Sequence, residues 1–79
     1  MNISDLILII KKAINIENIN LESSSENTEE WDSLGHLSIL VALDKELNGK
    51  LSSIPEIATA DSVEAIIAIL RKNHLIDES

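Results

Sequence analysis

The chain has 79 residues, enough for one small domain spanning 1–79 and too few for a second core or a large catalytic cleft. Fourteen acidic against six basic side chains give a formal charge of -8, which repels phosphate backbones and anionic headgroups and argues against nucleic-acid and electrostatic membrane binding. Without cysteine there are no disulfides or thiolate metal sites, and two histidines do not by themselves hold a transition metal, so packing of the 44% apolar residues must hold the fold.

Leu6, Ile7, Ile10, Ala13 and Ile14 recur at the spacing of an amphipathic helix, predicted over about residues 4–15 with Asn2 or Ser4 as its cap. Asp5 interrupts the start, and Lys11 and Lys12 follow the apolar run rather than precede it, so no export or targeting signal is read here. No segment approaches the roughly 20 apolar residues that span a bilayer, and the expected location is the cytoplasm. From Ile16 to Trp31 the periodicity fades into Asn, Ser, Glu and Thr, leaving Ile16, Ile19 and Leu21 to pin a long loop to the core. Structureless loops of that length are uncommon and point to function.

A second helix follows, capped by Asp32 or Ser33, with Leu34, Leu37, Leu40, Val41, Leu43 and Leu47 expected to face the interior. Asn48 and Gly49 supply its left-handed terminus. Pro55 suits the first turn of a short helix over 55–60, and Asp61 with Glu64 has capping-box spacing before a last helix striped by Val63, Ile66, Ile67 and Leu70. Strand signals are missing. The expected fold is all-α: a four-helix bundle of three principal helices and one short helix, with the long loop between the first two.

Chemistry concentrates where a serine opens a helix directly after that loop, in the octet Glu30-Trp31-Asp32-Ser33-Leu34-Gly35-His36-Leu37. The unpaired amides and dipole of a helix N-terminus favour an attached phosphate, which makes Ser33 a candidate phosphoryl acceptor. The plain alternative is an ordinary N-cap serine. Asp32, Ser33 and His36 superficially offer acid, nucleophile and base, but one exposed turn neither encloses a substrate nor builds an oxyanion hole. His36 is therefore read as solvated or phosphate-contacting, and Trp31, the lone aromatic, as a lid over the core. Glu26, Glu29 and Glu30 attract loosely held cations at most, and His74 needs only a helix-dipole contact.

The octet and its surroundings resemble the attachment site of acyl carrier proteins, a family marked by Asp-Ser-Leu, here Asp32, Ser33 and Leu34. The likeness covers nearly the whole chain: an apolar first helix, a long loop, a second helix closing on Leu43, Asp44, Lys45, Glu46 and Leu47, then Ile57 in a short helix, and Ser62 and Val63 entering the last. It implies that a dedicated transferase moves 4'-phosphopantetheine from coenzyme A onto Ser33, with Asp32, Leu34 and His36 around the attachment point. The thiol of that arm would carry acyl groups as thioesters, and the chain itself would catalyse nothing. It further implies partners, namely acyl-transferring, condensing or ligase enzymes with basic docking patches, meeting the polar positions Ser38, Asp44, Lys45 and Glu46.

Fatty-acid members of the family place acidic residues after Asp-Ser-Leu and along the second helix. Here Gly35 and His36 follow the tripeptide, Ser38 takes a usual glutamate position and Lys45 interrupts Asp44 and Glu46, which favours a specialised acyl pathway over housekeeping fatty-acid synthesis. An aminoacyl or peptidyl carrier shares the same attachment site. The start at Met1 and the short tail after the last helix lead us to expect a stand-alone carrier, and a monomer is expected. A non-covalent acidic helical module that binds a partner helix is the rival reading.

Overall fold

In a computed structural model that describes residues 1–77, Asn2 opens helix α1 (Ile3–Ile14) with a reciprocal capping box. Its side chain accepts from the Asp5 amide at 2.8 Å, and the Asp5 carboxylate accepts from the Asn2 amide at 3.1 Å. Helix α2 (Ser33–Glu46) is capped by Asp32, and helix α3 (Val63–Lys72) by Ser62, whose hydroxyl accepts from the Ala65 amide at 3.0 Å. The capping role expected of Asp61 thus falls to its neighbour. Asp61 binds the loop instead: its carbonyl accepts from the Ser25 amide at 2.8 Å and its carboxylate from the Ser25 hydroxyl at 3.3 Å.

Each helix ends in a left-handed residue, Asn15, Asn48 and His74, with φ between 55° and 57°. In each case a following amide closes onto a carbonyl five residues back: Ile16 onto Lys11 at 3.1 Å, Gly49 onto Asp44 at 2.9 Å and Leu75 onto Leu70 at 2.8 Å. These bonds satisfy carbonyls that would otherwise be orphaned at a helix end. Between α2 and α3 the chain forms two 3-10 segments, Lys50–Ser53 and Pro55–Thr59. The second covers most of the span assigned to a short helix; the first has no apolar periodicity to announce it.

The described residues contain no strand, only isolated bridges between Asn2 and Asp77 and between Ser24 and Ser62. The all-helical class and the three principal helices agree with the sequence periodicity. No helix among the described residues is long and apolar enough to cross a membrane.

The core is formed by Leu6, Ile10, Ile39, Leu43, Val63, Ile66 and Leu70, all fully enclosed, with Trp31 sealing one side. Residues 15–32 hold their shape with polar side chains. The Ser23 hydroxyl accepts from the Asn20 amide at 3.0 Å, Asn20 Oδ1 from the Glu22 amide at 2.8 Å, and Asn27 Oδ1 from the Ser24 amide at 2.9 Å. These short-range bonds replace the missing backbone ladder and explain the Asn and Ser content. Ile19 pins this segment to the core as expected and Ile16 is half-buried, but Leu21 points outward; the Val63 amide, donating to the Ser23 carbonyl at 3.0 Å, ties the segment to α3.

Helix α2 corrects the sequence expectation most. Leu43 and Leu47 are buried and Leu40 half-buried, yet Leu34, Leu37 and Val41 face outward, and Ile39 takes the interior position. Apolar residues occur on nearly all sides of α2, so their spacing alone does not say which stripe faces α1. Two contacts set the rotation. Gly35 lies against the Glu30 carbonyl and the Ile14 side chain, and His36 is bonded beneath the loop.

Candidate functional site

The Asp32 carboxylate accepts from the Gly35 amide at 2.8 Å, while its own carbonyl accepts the His36 amide at 2.8 Å. Asp32 is therefore the cap, and Ser33 is the first helical residue rather than an N-cap serine. Ser33 is exposed, and its hydroxyl makes no hydrogen bond with any described residue. No acidic side chain occupies the first turn of α2, so the positive end of the helix dipole is offset only by Asp32. An exposed hydroxyl beside unpaired helix amides has room for, and is electrostatically suited to, a phosphodiester on its oxygen.

Both ring nitrogens of His36 are engaged within the protein. Trp31 Nε1 donates to Nδ1 at 3.2 Å, so Nε2 carries the proton and donates to the Ala58 carbonyl at 2.7 Å. The imidazole also stacks on the indole, with ring centroids 6.5 Å apart. Both ring nitrogens of the half-buried His36 thus have partners within the protein. It couples three elements: the loop end through Trp31, the base of α2, and the second 3-10 segment through Ala58. Trp31 is buried, as its reading as a lid requires.

Gly35 departs from the family pattern, and the structure gives the departure a cause. A Cβ there would overlap the Glu30 carbonyl oxygen and come within 3.1 Å of Ile14 Cγ2. Only glycine lets the loop end close over the first turn of α2 and deliver Asp32 and Ser33 in register. A glycine at the third position of a helix was the available signal, since glycine is a poor helix former.

The four polar positions assigned to partners separate in space. Ser38 and Lys45 are exposed, whereas the half-buried Asp44 accepts from the Leu51 amide at 3.3 Å. Lys45 and Glu46, both exposed, line the seam toward α1 with Ile9 and Lys12. Leu34, beside Ser33, is exposed rather than buried. Glu26, Glu29 and Glu30 do not gather into a metal-binding group among the described residues.

On the other flank of α2 an open groove of about 470 Å³ is lined by Leu40, Val41, Leu51, Ile54, Pro55 and Ile57. Leu37 and Leu40 lie four and seven residues after Ser33, so the α2 wall of this groove continues from the helix face that carries the hydroxyl. Comparison with protein-family models, with curated proteins and with solved structures finds no match to this chain.

Proposed function

We propose that the chain is an acyl carrier protein, modified at Ser33 with 4'-phosphopantetheine and serving a specialised acyl pathway. The observation that carries this reading is the exposed, unpartnered Ser33 hydroxyl at the first position of a helix capped by Asp32, in a small acidic helical bundle. In the loading step the Ser33 oxygen attacks the phosphoryl group of coenzyme A that bears the pantetheine, the adenosine bisphosphate leaves, and the serine proton passes to a base of the transferase. The arm supplies the thiol that this cysteine-free chain lacks. Asp32 holds the helix start, His36 and Trp31 lock the loop behind it, and the groove beside Leu40 and Ile54 offers an apolar cargo a partial shelter. The departures at Gly35, Ser38 and Lys45 favour a specialised pathway over the housekeeping one.

The test is intact mass after incubation with coenzyme A and a broad-specificity phosphopantetheinyl transferase. The wild type should gain one arm, mapped to Ser33, and Ser33→Ala none. Because Asp32 and not Ser33 caps the helix, the Ala variant should melt within about 0.5 kcal/mol of wild type. An unchanged wild-type mass would favour the non-covalent module, and an arm on another residue would move the site.

A further inference from the structure

The open groove beside α2 leads from the neighbourhood of Ser33 to a carboxylate. At one end Ala58 is bonded through its carbonyl to His36, one turn after Ser33; at the other, Leu51 is bonded through its amide to Asp44. The walls between are aliphatic, and among the described residues Asp44 is the one charged side chain that lines them. Asp44 carries more charge than its structural bond requires. It accepts from the Leu51 amide at 3.3 Å, a role that asparagine would fill, and it bonds no Lys, Arg or other donor among the described residues. It also stands in the last turn of α2, where the helix dipole opposes a negative charge. Beside it Ser52, whose hydroxyl donates to the Gly49 carbonyl at 3.0 Å, keeps oxygen lone pairs for a further donor.

The spacing fixes what arrives at that end. Asp44 lies three turns after Ser33, about 16 Å along the helix axis. A pantetheine arm laid along the groove has about 13 bonds from phosphorus to sulfur, each advancing roughly 1.2 Å, and so brings its thioester to Asp44. A hydrocarbon head at that point would cover a half-buried carboxylate without pairing it, and a carboxylate head would be repelled. An ammonium within a few bonds of the thioester carbonyl instead pairs with Asp44 and donates to Ser52. We infer that the cargo of this chain is an aminoacyl group and that Asp44 is the residue that selects it. This inference rests on the carrier reading. The aliphatic walls hold the arm and Asp44 holds the amine, so selectivity resides in one charge rather than in the shape of the groove.

The experiment compares two isosteric cargoes on the full chain, β-alanyl and butyryl, in which an ammonium takes the place of a methyl group. The broad-specificity transferase places each on Ser33 from its coenzyme A derivative. The recipients are the wild type, Asp44→Asn, which keeps an acceptor for the Leu51 amide, and Glu17→Gln, which removes an exposed carboxylate outside the groove. The β-alanyl wild type should melt about 2–4 °C above the butyryl wild type, as a partly exposed ion pair allows in a domain of this size. That gap should close in Asp44→Asn and persist in Glu17→Gln. By heteronuclear NMR of the wild type, the Leu51 amide should shift with β-alanyl and stay with butyryl where the unacylated arm leaves it. The inference is overturned if the two cargoes give equal melting temperatures and equal Leu51 shifts. It is equally overturned if Asp44→Asn and Glu17→Gln behave alike, since the ammonium would then act through net charge. A wild type that gains no mass fails the carrier reading and the cargo class with it; a loaded chain indifferent to the ammonium fails the cargo class alone.

Discussion

Gly35→Ala sets two effects of opposite sign against each other. In an unobstructed helix the change should stabilise by about 1 kcal/mol, because alanine restricts the unfolded chain and favours the helix. Here the new Cβ overlaps the Glu30 carbonyl oxygen and meets Ile14 Cγ2 at 3.1 Å. The isoleucine can turn aside, but the carbonyl is backbone and its neighbour is anchored: the Trp31 amide donates to the Thr28 carbonyl at 3.0 Å and the indole is bonded to His36. A rigid contact on both sides puts the overpacking cost near the top of its usual range, about 3 kcal/mol, and the net loss near 2 kcal/mol. For a domain of this size that lowers Tm by roughly 10 °C. Thermal unfolding by circular dichroism measures it, and Trp31 emission reports whether the loop end has moved. In a double-mutant cycle with Ile14→Ala, which removes the Cγ2 that the new Cβ meets, the coupling should stay below about 0.5 kcal/mol, since trimming the side chain leaves the carbonyl in place. A Tm at or above wild type would refute the reasoning, and strong rescue by Ile14→Ala would place the obstruction in the side chain instead.

Three further outcomes are expected. His36→Ala removes the acceptor of the buried indole N–H and the donor to Ala58, and should cost about 1–3 kcal/mol with a red shift of Trp31 emission; unchanged emission would mean the indole never depended on the imidazole. His74→Gly relieves a left-handed φ of 57° at an exposed helix end and should stabilise by about 1 kcal/mol in denaturant titration, where no gain would mean the histidine makes a compensating contact. Moderate salt should raise Tm by screening the net charge of -8, with divalent cations more effective than sodium; a melt indifferent to both would show that the charges are already compensated.

Local signals were enough to read much of this molecule from sequence. Periodicity located α1, α2 and α3, the first two caps were legible to within a pair of residues each (Asn2 or Ser4, Asp32 or Ser33), and an exposed serine at the mouth of α2 followed from Asp32 and Ser33 meeting a polar segment. Each of these depends on residues within a few positions of one another, where spacing and cap chemistry act directly. The rotation of α2 was a different matter. Leu34, Leu37 and Val41 are as apolar as Ile39 and Leu43, so hydropathy could not choose between the stripes. The choice was made by contacts distant in sequence: Ile14 against Gly35, and the Ala58 carbonyl accepting a hydrogen bond from His36, 22 residues away. The same contacts make His36 a structural link between Trp31 and Ala58, and the Leu51 amide holds the half-buried Asp44. Sequence therefore determined which segments are helical and where the hydroxyl stands. Only tertiary packing decided which face of α2 is left exposed, because a helix with apolar residues on nearly every side is oriented by what packs against it.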